Sequence, residues 1–263
     1  MRAYWSVFSA RFRVLLQYRA AAVAGFATQI FWGLIRVMIF EAFYRSTAAP
    51  QPMTYPDVVT YVWLGQGLLL LVMFSADDEI SAMIKTGSVS YELVRPLDLY
   101  LFWYCRAIAF RTAPLMLRSI PLFLIAGLFF NLQAPVSFAH ACIFLFSCLT
   151  AILLSSAMAM VMTISLLWTV SGDGVNRILP AAVFFFSGLI VPLPLLPDWM
   201  QSIAAFLPFR GLADTPYRIY MGHVPLYDAV HAILHQWVWT ILIIFFGYKL
   251  LNNGVRKLVI QGG

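Results

Sequence analysis

Charged residues are scarce in this chain: Asp, Glu, Lys and Arg make up 11% of 263 residues, whereas 62% are hydrophobic. Residues 119–172 include none of the four, and roughly 20 apolar residues suffice for a helix to cross a bilayer. The shortage of charge therefore excludes a water-soluble protein. Membrane β-barrels need alternating segments of about ten residues, which are absent. An α-helical membrane protein remains, because lipid cannot satisfy open backbone groups.

Six candidate membrane spans are obtained by dividing the chain at its charges and at its clusters of proline and glycine. The fourth is too long for one perpendicular crossing, so we expect it to tilt or to extend beyond the lipid. Together they predict one transmembrane domain over residues 1–263. The candidate spans lie near residues 21–43, 57–75, 110–131, 138–168, 177–194 and 228–249.

Positive charge is divided unevenly between the two sides that these spans define. With the N-terminus inside, twelve of the 17 Lys and Arg residues are cytoplasmic, three are outside and two lie within spans. Cytoplasmic segments beside spans retain positive charge, so we expect both termini in the cytoplasm. The basic residues lie at span ends and form no single stripe, which explains the net charge of +6 without nucleic acid.

The first twenty residues predict an amphipathic helix at the inner membrane surface. They carry four arginines and end without a small-residue cleavage site, which argues against a signal peptide. Apolar residues recur at helical spacing, with arginines on the remaining arc. The alternative is a helix continuous with the first span. The apolar face comprises Tyr4, Trp5, Val7, Phe8, Phe12, Leu15 and Leu16.

Several catalytic motifs are absent. No G-x-x-x-x-G-K-[ST] loop is present to bind nucleotide phosphates, so we expect no ATP hydrolysis and no cofactor in this chain. There is no G-x-S-x-G, and Asp173 stands without a second carboxylate in a turn predicted for residues 170–177. His231 and His235 lack the Glu of a zinc-protease motif, and the three cysteines share no metal-ligand spacing. Metal binding by this histidine pair is a minor alternative to the absence of a metal site.

A polar island, residues 85–98, falls in the predicted cytoplasmic segment 76–109 between the second and third spans. We expect a short helix over residues 77–86, because Ser75 and Asp78 form a capping-box pattern. This helix precedes and overlaps the island. It is the best-capped short helix predicted outside the bilayer.

Both ends of this short helix have characteristic residues. Asp77, Asp78 and Glu79 suit the positive end of the helix dipole, and Gly87 can adopt the left-handed conformation that closes a helix. An apolar face in the cytosol needs either a partner protein or the membrane surface. That face comprises Ile80, Met83 and Ile84.

Polar side chains inside spans are costly and are candidates for function. Arg36 lies about two-thirds of the way across the first span, and Glu41, five residues further on, is poorly spaced to pair with it. Arg36 could line a pathway or a subunit seam, or extend outward to the interface along its aliphatic stem. Gln66, between two glycines, could contact a substrate or contribute to helix packing.

The external segment 191–227 is rich in proline and predicts a helix half-embedded in the outer interface. Non-helical backbone at membrane depth must be sheltered by protein or by a cavity. Pro192, Pro194 and Pro197 therefore suggest that this element caps a pathway, with an ordinary interfacial loop helix as the alternative. Apolar residues at roughly helical spacing are Trp199, Met200, Ile203, Phe206 and Leu207.

Two stretches resemble the permease subunits of type-2 ABC exporters, especially a bacterial branch of uncharacterised drug-export permeases. The first is "GSVSYELVRPLD", residues 87–98, which follows the short cytoplasmic helix. The second is "FFFSGLIVPLPLLPDWMQSIAAFLPF", residues 184–209, where a span runs into Phe-Ser-Gly, then prolines and a short hairpin. The order of elements along the whole chain is similar.

The resemblance implies an all-α polytopic permease of the bacterial inner membrane with an N-terminal interfacial helix, six transmembrane helices and a re-entrant extracellular element before the sixth. A second permease, identical or related, would complete the pathway in lipid. Two cytoplasmic ATPase subunits would bind ATP and Mg²⁺. An ion-coupled secondary transporter is the alternative, although no carboxylate occupies the middle of spans two to six and no repeat is visible; an intramembrane enzyme is weaker.

In that scheme the short helix is the coupling helix that docks on the ATPase. Arg95 would anchor the following loop to lipid phosphate, Glu92 or Asp98, or would serve as ordinary positive-inside charge. We expect Ile80→Asp or Met83→Asp to leave folding intact while uncoupling ATP hydrolysis from transport. The coupling candidates are Asp77, Asp78, Glu79, Ile80, Met83, Ile84, Lys85, Gly87 and Arg95. The pathway candidates are Arg36, Gln66, Phe186 and Ser187, and the gate candidates are Pro192, Pro194, Pro197 and Trp199.

Overall fold

The structure, a computed structural model, describes residues 2–47, 49–73, 75–169 and 173–256. Within these ranges all regular secondary structure is helical, and there is no β-strand. Short 3-10 helices occur at Leu69–Leu71, Leu193–Leu195 and Pro208–Leu212. The α-helices are α1 (Arg2–Leu16), α2 (Arg19–Ser46), α3 (Tyr55–Gly67), α4 (Asp78–Thr86), α5 (Ser90–Leu93), α6 (Leu99–Phe129), α7 (Phe138–Ser165), α8 (Asp173–Phe186), α9 (Asp198–Phe206), α10 (Asp214–Tyr220) and α11 (Leu226–Val255).

Four segments are long and apolar enough to cross a membrane: Ala20–Ser46 in α2, and the whole of α6, α7 and α11. They confirm the prediction of an all-helical protein that passes the membrane several times. The helices in the other two predicted spans are shorter, with 13 residues in α3 and 14 in α8. The count of six spans therefore stays a prediction.

Three of the predicted spans have different helical limits in the structure. The second ends at Gly67, before a 3-10 helix, and the Phe123 ring lies against this glycine. The third belongs to a helix that begins at Leu99, since the Asp98 side chain caps it by accepting the Leu101 N–H at 2.8 Å. The fifth ends at Phe186, before the left-handed residue at position 188.

The turn predicted for residues 170–177 is only partly described. Residues 170–172 lie outside the described ranges, and α8 already begins at Asp173. Gly174 is therefore helical, and the turn predicted for residues 170–177 is wrong over residues 173–177. The first helical turn of α8 replaces it.

α1 is a separate helix. It ends at Leu16, and a break at Gln17 and Tyr18 precedes α2, so the alternative of one continuous helix is wrong. Tyr4 and Val7 pack against a buried cluster built mainly from α6 and α7. Part of the predicted apolar face is thus covered by the chain itself.

α7 forms the centre of the bundle. It is buried along most of its length and packs against α6, α10 and α11. The side chain of Gln236 on α11 crosses this interface: its Oε1 accepts hydrogen bonds from Ser147 and Thr150, and its Nε2 donates to the Gly211 carbonyl at 2.6 Å. These bonds join α7, α11 and the segment before α10.

The start of α1, the start of α6 and the end of α11 meet beside α4. Tyr248 donates to the Asp98 carboxylate at 2.6 Å, and the Asp98 N–H donates to the Tyr4 hydroxyl at 3.0 Å. We call this the α4 end of the bundle. At the opposite end Tyr220 donates to the Gln133 carbonyl at 2.8 Å. The first and last helices therefore approach the same end.

Candidate functional site

α4 matches the predicted short helix closely, with one correction at its start. The Asp77 carboxylate accepts the backbone N–H groups of Glu79 and Ile80, both at 3.0 Å. Asp77 is therefore the N-cap, and the predicted capping box at Ser75 is wrong. Gly87 has a φ of 74° at the other end, which confirms the left-handed closure.

The apolar face of α4 packs inside the chain. Ile80 is 1% exposed, and Met83 and Ile84 lie against the same cluster, which includes Trp103 and Met160. Ile80 needs neither a partner nor lipid to cover it, whereas Met83 and Ile84 are only partly buried. An aspartate at position 80 would bury an unpaired charge, so the expectation that Ile80→Asp leaves folding intact is wrong.

An ion-pair cluster attaches α4 to two other helices. Glu79 binds Arg11 of α1 at 2.6 Å and Arg106 of α6 at 2.5 Å, and Arg106 also lies 3.6 Å from Asp77. Partial burial alone would raise the pKa of Glu79. The hydrogen bonds and charges of the two arginines outweigh it and hold that pKa below its ordinary value.

The surface of this region that remains open begins on α4 and continues past α5. Asp78 and Lys85 are exposed on α4. Beyond Gly87, Tyr91 is 78% exposed and Val94 83% exposed. We call Asp78, Lys85, Tyr91 and Val94 the α4–α5 surface; it combines charged and apolar side chains.

Arg95 anchors the segment after α5. Its guanidinium lies 3.3 Å from the Glu92 carboxylate and 5.3 Å from the centroid of the Phe102 ring. The predicted pairing with Glu92 is confirmed. The alternative pairing with Asp98 is wrong, because that carboxylate caps α6 and accepts from Tyr248.

Three cavities lie side by side along the bundle. The α4 cavity, about 150 Å³, lies among α1, α4, α6 and α7 and includes Asp77 and Glu79. It shares Ser75, Phe110 and Arg111 with the middle cavity, of about 650 Å³.

The middle cavity adjoins the largest of the three. It shares Met73, Phe184 and Ile190 with the α2 cavity, of about 770 Å³, which lies among α2, α3 and the end of α8. Its lining extends to Val191 and Leu195 in the proline-rich segment. Shared side chains thus connect α4 with that segment.

Two predicted pathway residues line the α2 cavity. Arg36 donates to the backbone carbonyls of Leu189 and Ile190, the latter at 2.8 Å. It is held by carbonyls that follow the end of α8. Gln66 is 3% exposed and lines the same cavity.

The other two predicted pathway residues line none of these three cavities. Ser187 is fully buried; its carbonyl accepts the Asp214 N–H at 3.1 Å and its hydroxyl accepts the Leu189 N–H at 3.3 Å. Phe186 is half-buried and contacts the ring of Phe185. Their place in a pathway stays a prediction.

The predicted gate residues occupy successive positions before and in α9. Pro192 is buried at the start of a 3-10 helix that contains Pro194, and Pro197 directly precedes α9. Trp199 is exposed on α9. The predicted helix near Trp199 is confirmed, and the gating role stays a prediction.

Two buried polar residues were not predicted from the sequence. Asp214 begins α10 inside the bundle and accepts a hydrogen bond from Tyr61 at 3.1 Å, although it lies in the predicted external segment 191–227. Gln29 is 3% exposed and lines the α2 cavity beside Gln66. An isolated polar residue in the first span was the signal that could have identified Gln29.

The histidine pair has an ordinary packing environment. The Trp239 indole N–H donates to His235 Nε2 at 3.1 Å, and this ring nitrogen also lies 3.3 Å from the Phe206 carbonyl oxygen. Within the described ranges, no group of three or more His, Cys, Asp or Glu side chains is positioned to bind a metal.

Comparison with known proteins gives one family assignment. The family model described as ABC-2 family transporter protein matches residues 30–262, which is most of the chain. No curated protein matches the chain.

Proposed function

Since the chain belongs to the ABC-2 family of transporter proteins, we propose that it is the membrane subunit of an ATP-driven exporter. It forms the translocation pathway with a second permease, either identical or related, and separate ATPase subunits supply the energy. The protein passes the membrane several times and carries the permease role of an ABC transporter.

The row of three cavities carries this proposal. They form a row from the α4 end, past α8, toward the proline-rich segment, and each shares lining residues with the next. A substrate route needs such continuity between the coupling region and the far side. The face of α2 beside the largest cavity is open, with Trp32 and Ile39 more than half exposed, and a second permease at this face would close the route.

The α4–α5 surface is the proposed contact for the ATPase. α4 is fixed to α1 and α6 by the charges around Glu79 and to the core by Ile80. Motion of a docked ATPase would therefore displace α4, α1 and α6 together, whereas a flexible loop would not transmit it. In this scheme ATP and Mg²⁺ bind the ATPase, and Lys85 and Tyr91 contact it.

The membrane arrangement follows from the same proposal. α3 with its 3-10 extension and α8 act as the second and fifth of six spans, sheltered by neighbouring helices that compensate for their length. Residues 191–227 form the re-entrant element on the outer side. The α4 end, with both the first and last helices, faces the cytoplasm of a bacterial inner membrane.

Purification of the tagged chain from its native membranes tests the proposal. We expect an ATPase subunit with a phosphate-binding loop to co-purify, with vanadate-sensitive ATP hydrolysis. Tyr91→Ser with Val94→Ser should reduce this association while the melting temperature of the permease stays the same, because both side chains are exposed. Leu128→Ser, an exposed apolar residue on α6, is the matched control. Solute uptake driven by a proton gradient with the chain alone would contradict the proposal.

A further inference from the structure

The α2 cavity contains two buried carboxamides with unmatched hydrogen-bonding groups. Gln29 on α2 and Gln66 on α3 are each 3% exposed, and the Oε1 atom of each has no hydrogen-bond partner within the described residues. Both residues line the cavity. A buried polar group without a partner costs free energy, so these two side chains are poorly explained as packing residues.

Gln236 shows how this bundle treats a carboxamide that serves packing. Its oxygen accepts from two hydroxyls and its nitrogen donates to the carbonyls of Ser147 and Gly211. All of its side-chain hydrogen-bonding capacity is used by α7 and by the 3-10 helix before α10. Gln29 and Gln66 have no such surroundings.

The rest of the cavity has a definite chemical character. Most of its lining is aliphatic or aromatic, including Trp32, Phe40 and Leu69. Arg36 is its one ionic residue among those described, and no Asp or Glu lines it. The guanidinium is bound to two backbone carbonyls, and Glu41, the nearest carboxylate in sequence, pairs with Arg45 at 2.5 Å. The positive charge is therefore not neutralised by a carboxylate in the lining.

We propose that the α2 cavity binds an amphiphile with an apolar body and an anionic or hydrogen-bonding head group, which the carboxamides of Gln29 and Gln66 recognise. A volume of about 770 Å³ suits a drug-sized or single-chain molecule. Rotation of a carboxamide exchanges its oxygen and nitrogen, so each can donate to the head group or accept from it. The charge of Arg36 disfavours cationic amphiphiles. This inference specifies the substrate class of the proposed exporter and rests on that function only for transport, not for binding.

Binding of dansyl-labelled undecanoic acid to the full-length chain in phosphatidylcholine nanodiscs tests the inference. Energy transfer from tryptophan to the dansyl group reports occupancy, since Trp32 lines the cavity. We expect the acid to bind more tightly than its methyl ester, and a trimethylammonium analogue to bind most weakly. Equal affinity of the acid and the ammonium analogue would overturn the proposed charge selection.

Gln29→Leu and Gln66→Leu test the carboxamides directly. Each should weaken binding of the acid roughly three- to tenfold, the range for one lost hydrogen bond, without lowering the melting temperature. Gln236→Leu makes the same chemical change at a satisfied site and should lower the melting temperature. Unchanged affinity in both cavity variants, or a loss of stability like that of Gln236→Leu, would show that the carboxamides serve packing and would overturn the inference.

The two proposals fail separately. If no ATPase associates but binding depends on the carboxamides, the inference stands and the exporter assignment is wrong. If the ATPase couples normally but the probes bind independently of Gln29 and Gln66, the exporter stands and the inference is wrong.

Discussion

Ile80 connects α4 to the interior through one aliphatic side chain that is almost completely buried. We expect Ile80→Ala to lower the free energy of unfolding by about 2–5 kcal/mol and Ile80→Val by about 0.5–1.5 kcal/mol, because each leaves a cavity in proportion to the carbon removed. Thermal unfolding in detergent measures both. Lys85→Ala, on the exposed side of the same helix, should change stability by no more than about 0.5 kcal/mol. An unaltered melting temperature for Ile80→Ala would contradict the packing described for α4.

Glu79 makes attachment of α1 dependent on pH. Its pKa in the folded protein lies below the ordinary value of 4.5, so its ion pairs stabilise the protein above pH 4.5 and are lost as the pH falls through the lowered pKa. The carboxylate is about half exposed, and each pair contributes no more than about 1 kcal/mol.

The corresponding measurement compares melting temperatures at pH 6 and pH 4 at low salt. The wild type should lose more stability on acidification than Glu79→Gln, and salt should reduce this difference. Asp78→Asn is the control, since Asp78 is exposed on the same helix and has no ion pair among the described residues. If wild type and Glu79→Gln respond equally to pH, the cluster does not hold α1.

The ends of α4 could be predicted from the sequence, whereas the long-range contacts of Glu79 and Ile80 could not. Gly87 and the acidic start of α4 follow from local backbone chemistry, which depends on residues a few positions apart. The partners of Glu79 come from two other helices, 68 and 27 residues away, so no local sequence pattern predicts them. The burial of Ile80 is likewise decided by what α6 and α7 place beside it.

At the scale of elements, two of the left-handed glycines that follow helices, Gly87 and Gly188, should respond differently to alanine. Gly87 has a φ of 74° and open space around it, so Gly87→Ala costs only backbone strain, on the order of 1 kcal/mol. Gly188 has a φ of 85° and its added Cβ would clash with the Tyr61 hydroxyl. We expect Gly188→Ala to lower the melting temperature clearly more than Gly87→Ala. Similar effects at both positions would mean that Tyr61 does not pack against the break after α8.

Element limits were predictable where a cap determines them and unpredictable where packing does. The predicted start of the fourth span at residue 138 agrees with α7, which Ser137 caps by accepting the His140 N–H at 3.3 Å. The predicted second and fifth spans were too long, because hydropathy continues past the points where the helices end. At Gly67 the Phe123 ring from α6 lies against the backbone, and the sequence of the α3 segment alone cannot predict that contact.

At the scale of the whole molecule, α1, α4 and the end of α11 share one end of the bundle, and the positive-inside count predicts that this end lies in the cytoplasm. Single cysteines in a background without Cys105, Cys142 and Cys148 test this orientation. In intact cells a membrane-impermeant maleimide should label Trp199→Cys, which is exposed on α9. It should label Ala82→Cys, exposed on α4, only after the cells are opened. Labelling of Ala82→Cys in intact cells would reverse the topology and remove the basis for an ATPase contact on the α4–α5 surface, since ATP is confined to the cytoplasm.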